Sequence, residues 1–421
     1  MSTPAAAAGF RPLLANRSFL VLWLGQCCSQ VADKLVFILL VEMVSAMSAS
    51  PRVMSIALAL HTVPNVLFGA LAGVWVDRLD KRRVMVGSNL ARAVLVLGLG
   101  LVGQTHLAVT IGLAFLVASA AQPFIPAEQA AMPLVVPREH LLQANAVFAT
   151  TMIASIVVAF TLGEPLVQGV GQQAAAWWVA GGFLASVGLL GRVRYTQPPQ
   201  AEPPAEGFWT QFRQGLAYIR SRGGIRRTLA LQVAIYATLA ALSVLAIIYA
   251  KAVLHTNFSW FLAVAGLGLG AGAWVVGHPG AAWPRDATIT AGFVATGAAL
   301  VGLAALGPGH KVVAFVLAGV LGSTAALVAV PLQTRLQELV EEPVRGKVFG
   351  AQNMVLNMAA TVPLGAIGFV VEGLGVTAVL AGLGALLGLV GLGAWHGRLP
   401  GLGASLPVRE ARAVCDVEGG G

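Results

Sequence analysis

Long apolar stretches separated by short polar turns dominate the pattern of this chain. Twelve of them read as membrane spans, at about 18–45, 53–76, 84–104, 107–126, 143–169, 173–193, 228–251, 258–277, 287–306, 311–332, 346–371 and 376–396. A helix needs roughly 20 mostly apolar residues to cross a bilayer. The first run, from Ser18, is far too long for the apolar core of a cleavable leader and reads as a helix. The eighth, ninth and twelfth runs are rich in Gly and Ala, as between Gly266 and Gly272, which lets helix backbones approach closely in lipid. The pattern predicts an all-α polytopic membrane protein.

Charge placement orients it. Only 10% of the 421 residues are charged, and Lys plus Arg outnumber Asp plus Glu by 26 to 17. In a soluble chain that excess would point to nucleic acid. With twelve spans, the ends and loops on one side hold 21 Lys and Arg, against 3 on the other (Arg52, Lys251 and Lys311). Basic loops mark the cytoplasmic side. Both termini are therefore expected in the cytoplasm, the chain in the plasma (inner) membrane, and no nucleic acid as partner. Cys27, Cys28 and Cys415 are too few for a disulfide framework.

One polar, Pro-rich stretch, TQPPQAEPPAEG from Thr196 to Gly207, lies near the midpoint. Phe208, Phe212, Leu216 and Ile219 follow at helical spacing, which predicts an amphipathic helix lying on the cytoplasmic membrane surface. The expected organisation is a six-helix bundle over 1–194, a cytoplasmic linker with this helix over 195–227, a second six-helix bundle over 228–398, and a disordered cytoplasmic tail over 399–421. Two echoes support duplication. Ala72-Gly73 with Trp75-Val76 recurs as Ala271-Gly272 with Trp274-Val275, and Pro126 with Leu134-Val135 recurs as Pro331 with Leu339-Val340. They pair spans 2 and 8, then 4 and 10, as a parallel repeat requires.

The loop between spans 2 and 3, GVWVDRLDKRRVMV from Gly73 to Val86, packs its charges into a short turn. It resembles the signature loop of the major facilitator superfamily, G-x-x-x-D-R-x-G-R-R/K. Gly73, Asp77, Arg78, Lys81 and Arg82 are in place, and Asp80 stands where many members have Gly. The resemblance implies a fold of twelve transmembrane helices in two pseudo-symmetric six-helix bundles. It also implies a cytoplasmic conformational latch, with Asp77 facing the N-terminus of a helix in the other half, where the dipole favours an anion. The second half keeps Gly272 and Trp274 but replaces the charges with Gly277-His278-Pro279.

From Pro123 to Val147 the chain reads PFIPAEQAAMPLVVPREHLLQANAV. Pro126, Pro133 and Pro137 are expected to break the helix into a structured turn, with Asn145 opening span 5. This block resembles the superfamily branch of macrolide and enterobactin exporters and lysophospholipid transporters, which carries P-A-R/K-x-A-x-x-P, then L-V and A-N. Here Glu128 takes the position usually basic, and Arg92 fits a position where the branch often has Arg. Gly163, Pro165 and Gly169 match only part of an antiporter motif, and Pro165 is expected to bend its helix.

Ionisable residues inside spans are costly and face a cavity or a partner; these are Asp33, Lys34, Glu42, Arg92, Glu164 and Glu372. Asp33 lies roughly 22 Å along span 1, at about 1.5 Å per residue. It is either a proton or cation site, exchanging a proton between the two access states, or an acid paired with Lys34 or Arg92 for packing. As helix neighbours, Asp33 and Lys34 are not expected to face each other. Glu42, Glu164 and Glu372 fall near outer ends and are expected to be solvated. Gln232 with Tyr236, and Asn353 with Asn357 and Thr361, form polar stripes that line a lumen or join helices.

No G-x-x-x-x-G-K-S/T loop is present, so no ATP motor is built in, and the seven His show no metal-ligand spacing. The expectation is a monomeric, cofactor-free secondary transporter rather than an enzyme, with no metal. It moves a small amphipathic or hydrophobic substrate outward by proton antiport, with sodium as the alternative ion. A lysophospholipid transporter or flippase is the neighbouring reading. A membrane-embedded lipid enzyme lacks the His or carboxylate cluster it needs, and a non-transporting sensor or scaffold would show no transport defect on neutralising Asp33.

Overall fold

The computed structural model describes residues 13, 15–69, 72, 76, 79–103, 105–137, 140–195, 207–278, 283–341 and 344–395. Among these there is no strand. The helices are α1 (Arg17–Met47), α2 (Pro51–Leu67), α3 (Lys81–Val102), α4 (Leu107–Ala121), α5 (Phe124–Val135), α6 (Leu141–Val170), α7 (Gln172–Leu190), α8 (Phe208–Ser221), α9 (Gly223–Ala252), α10 (Phe258–Gly277), α11 (Arg285–Ala304), α12 (Lys311–Leu339), α13 (Arg345–Leu374) and α14 (Val376–Trp395). By length and composition, 10 segments of the described residues can cross a membrane. The expected twelve are not reached on that criterion. Helix α1 carries Asp33, Lys34 and Glu42, and α2 is 17 residues long.

The proline-rich block folds differently from the expectation. The helix breaks at Gln122 and Pro123, then runs on through Pro126 and Pro133 as α5. Pro126 sits in the first turn, where a missing N–H costs nothing. The turn comes after Val135, and α6 starts at Leu141, with the Asn145 side-chain amide donating to the Leu141 carbonyl at 2.9 Å.

The duplication is visible in backbone detail. Helices α6 and α13 are both 30 residues long and end at Gly171 and Gly375, each at φ 82°. Each of these glycine N–H groups closes its helix on a valine carbonyl, Val167 or Val371. The left-handed conformation needs Gly there.

Small residues pack α10 against α12 backbone to backbone. A methyl group on Gly272 would lie 2.7 Å from Ser323 Cα, and the Ser323 hydroxyl donates to the Gly268 carbonyl at 2.9 Å. Helix α8 is not free for a membrane surface. Its Gly215 lies against the Lys347 backbone of α13, Ile219 is 3% exposed, and Lys347 Nζ donates to Gln214 Oε1 at 2.5 Å. Phe212 and Ile219, from the apolar face read as a membrane contact, therefore pack on the protein.

Helices α1–α7 and α9–α14 form two packed groups. They meet through α2 with α13, α6 with α10, and the last turns of α1 with α9. These contacts lie toward the end where α1, α9 and α13 finish, opposite the end where α1 and α3 begin.

Candidate functional site

Helix α1 is 31 residues long, and Asp33 sits close to its midpoint. Its carboxylate contacts Lys34 Nζ at 3.1 Å and Arg92 Nη1 at 3.3 Å. Both pairing options read from the sequence are thus realised at once. Lys34 departs from the neighbour rule because its long flexible stem folds back along the helix. Arg92 on α3 is held on several sides. Its guanidinium donates to Ser29 Oγ at 2.8 Å and to Asn89 Oδ1, and lies 5.1 Å and 4.4 Å from the ring centres of Phe124 and Phe183. Asn89 in turn donates to Ser186 Oγ at 2.7 Å, and Ser186 donates to the Gly25 carbonyl at 2.6 Å. A buried cation survives in an apolar bundle only with such a shell.

Exposure sorts the roles within the cluster. The Arg92 side chain is 3% exposed and Asp33 37%. Arg92 is therefore the buried support, and Asp33 is the face offered to a cavity of about 400 Å³ lined also by Lys34, His61, Thr62, Asn65 and Gln122. His61 Nδ1 lies 3.3 Å from the Ala114 carbonyl, and Gln122 Nε2 donates to Asn65 Oδ1 at 2.6 Å. Phe37, Ile156 and Phe160 supply apolar wall. A charged floor with apolar walls can hold an amphipathic molecule.

Sequence reasoning missed His61, Asn65 and Gln122 as cavity residues. His61 and Asn65 are four apart, so they share one face of α2, and that spacing was the available signal. It also passed over Glu128 as a site. Glu128 is 4% exposed, one turn beyond Phe124 on α5, and its Oε1 has no hydrogen-bond partner. The Nε of Arg92 is likewise buried without one.

In the second group, Gln232 is fully buried and bonded to Gln333 at 3.0 Å and Gln352 at 2.9 Å. It joins helices and lines no lumen. Tyr236 is 38% exposed, Asn353 is exposed and Asn357 half-buried. Five helices in this group line a separate apolar cavity of about 190 Å³, with Leu242, Tyr249, Phe261 and Leu321 in its wall.

Of the expected latch, Gly73, Asp77 and Arg78 lie outside the described residues. Lys81 Nζ donates to the Val76 and Leu79 carbonyls at 2.8 Å and 3.0 Å. The Arg82 N–H donates to the Tyr195 hydroxyl at 2.7 Å, and Asp80 caps α3 by accepting from the Arg83 N–H at 2.8 Å. Burial raises the Tyr195 phenol above its ordinary pKa. These bonds stay within the first group.

Charges do cross between the groups at the opposite end. Lys251 Nζ binds Glu42 Oε1 at 2.6 Å and lies 5.1 Å from the Phe258 ring centre. Arg52 pairs with Glu372. Glu164, 2% exposed, accepts from the Ser259 N–H at 2.9 Å. The solvated role expected for Glu42 and Glu164 is corrected accordingly, while Glu372 is exposed as expected and also pairs. Each finds its partner on the other group, which a single-helix reading had no means to show.

A family model described as Major Facilitator Superfamily matches residues 22–363. An uncharacterized MFS-type transporter, YfiS of Bacillus subtilis, is 24% identical over 87% of this chain and 90% of its own length. Macrolide efflux protein A of Streptococcus pyogenes is 31% identical, but over 17% of this chain and 18% of that protein. Among solved structures, the POT family transporter PepTSo has a TM-score of 0.72 at 14% identity, covering 91% of this chain and 98% of that one. The nucleoside transporter NupG has a TM-score of 0.68 at 13% identity, covering 90% and 98%. At such identities the likeness is one of fold alone.

Proposed function

The chain belongs to the major facilitator superfamily, a multi-pass membrane transporter, and on that premise we propose that it exports an amphipathic or hydrophobic small molecule by proton-coupled alternating access. The observation that carries this reading is the Asp33–Lys34–Arg92 cluster, set mid-helix against a cavity of about 400 Å³. Charge at that depth is retained where it binds or couples. The short match to a macrolide efflux protein supports the substrate class.

Asp33 is the coupling residue. While ionised it holds Lys34 and Arg92. On taking a proton it releases both cations, and Glu128, a buried carboxylate one turn beyond Phe124, is then open to Arg92. The charge state of one cavity residue thereby acts on the packing of α1, α3 and α5. With the termini cytoplasmic and the chain in the plasma membrane, the end closed by Glu42–Lys251, Arg52–Glu372 and Glu164–Ser259 is the external one, and this state faces inward. Asp77, Lys81 and Arg82 then belong to the gate that closes when the external one opens.

The apolar cavity of about 190 Å³ supports a second reading within the same family, a lysophospholipid carrier whose acyl chain enters it. The test is cellular. Expression should lower accumulation of macrolides or amphipathic dyes, and a protonophore should abolish the difference. Lower accumulation that persists with the protonophore would remove proton coupling. No difference for these compounds, with one for lysophospholipid, would select the second reading.

A further inference from the structure

At the end of the first group where α1 and α3 begin lies a second cavity, of about 570 Å³. Four of its lining residues are arginines, Arg17, Arg82, Arg192 and Arg194, and no acid lines it. They come from three distant segments, the first turns of α1 and α3 and the chain just past α7. Among the described residues none of the four is in an ion pair, while seven pairs form elsewhere. The basic segments are held in place: the Arg82 N–H is fixed by Tyr195, its Nη1 lies 3.4 Å from the Val193 carbonyl, and the Arg192 and Val193 N–H groups close on Leu189 and Leu190.

Four like charges around one cavity repel, and the positive end of α1 adds to the field. An anion with several acceptor oxygens relieves this, and guanidinium groups match phosphate oxygens in pairs. The surroundings identify the source. Helix α1 has 31 residues, about 46 Å at 1.5 Å per residue, so its first turn reaches the headgroup layer of a bilayer about 40–45 Å thick. Val21 lines the cavity, and Leu24, one turn deeper, is 44% exposed, continuing an apolar wall for an acyl chain.

We propose that this pocket binds the phosphate of an anionic phospholipid drawn from the surrounding bilayer. The site is separate from the Asp33 cavity and does not depend on what that cavity transports.

Native mass spectrometry and thermal unfolding of the detergent-purified chain test it, with phosphatidylglycerol, phosphatidylcholine and inorganic phosphate as probes. Wild type is compared with Arg192→Gln and with a triple variant, Arg17→Gln, Arg192→Gln and Arg194→Gln; Arg82 is kept. Phosphatidylglycerol should bind saturably and raise Tm, and phosphatidylcholine should not. Each lost arginine should weaken binding about fivefold, and the triple variant about a hundredfold. The single variant keeps the test open if the triple fails to fold. Equal binding of inorganic phosphate would overturn the lipid source. Equal retention of both lipids, or phosphatidylglycerol affinity unchanged in Arg192→Gln, would overturn the site.

Discussion

Glu164 on α6 accepts a hydrogen bond from the backbone N–H of Ser259 at 2.9 Å, so a side chain of one helix group caps α10 of the other. The Asn257 side chain at the start of α10 makes no cap of its own. Closure of this end therefore satisfies a helix N-terminus that opening leaves bare.

Removing the cap should favour opening. Losing an N-cap acceptor costs about 1–2 kcal/mol, so Glu164→Ala should move the equilibrium roughly tenfold toward the open end, and Glu164→Gln less, because it keeps an acceptor oxygen. Spin-label distances between Thr105 and His310, on opposite groups at this end, report it. An unchanged distance distribution in Glu164→Ala would leave the cap with no part in closure.

The Lys251–Glu42 contact at 2.6 Å should behave as a coupled pair. Lys251→Gln or Glu42→Gln alone should loosen closure. Exchanging the charges, Glu42→Lys with Lys251→Glu, should restore part of it, with a coupling energy of about 1 kcal/mol. The same label pair measures this. Additive effects of the two substitutions would contradict a direct pair.

Arg92→Gln leaves Asp33 with Lys34 alone and strips donors from Ser29 and Asn89. The expected loss is about 3 kcal/mol, the low end for breaking a buried pair, because Asp33 is partly exposed. Thermal unfolding in detergent should show a lower Tm, and Asp33→Asn added to Arg92→Gln should recover some of it. A Tm equal to wild type would mean that the guanidinium is not held as described.

Gly322 of α12 lies against the Ala265 backbone of α10, where a methyl group has no room. Gly322→Ala should separate these helices and cost about 1–3 kcal/mol, read as a fall in Tm. Gly346→Ala, at a position where a methyl group meets nothing, is the control.

The helical architecture was legible because an apolar run of spanning length has no other stable form in lipid. Composition places span 8 at 258–277, and α10 occupies Phe258–Gly277. The Gly-rich packing of that helix was legible for the same reason, since small residues act locally. Asp33 with Arg92 was within reach, as two charges stranded in apolar runs require a partner. The burial of Glu42 and Glu164 and the pairing of Glu372 were hidden because their partners, Lys251, Ser259 and Arg52, sit on helices far away in sequence. The continuation of α5 through Pro133 was hidden too, since neighbouring helices supply packing that overrides a local breaker.

The most direct test is substrate-driven proton movement in proteoliposomes, comparing wild type with Asp33→Asn across macrolides, amphipathic dyes, siderophores and lysophospholipids. Proton flux on adding one substrate class, lost in Asp33→Asn while the variant remains folded, is the expected result. Substrate flux without proton movement, or coupled flux undiminished in Asp33→Asn, would contradict coupling through Asp33.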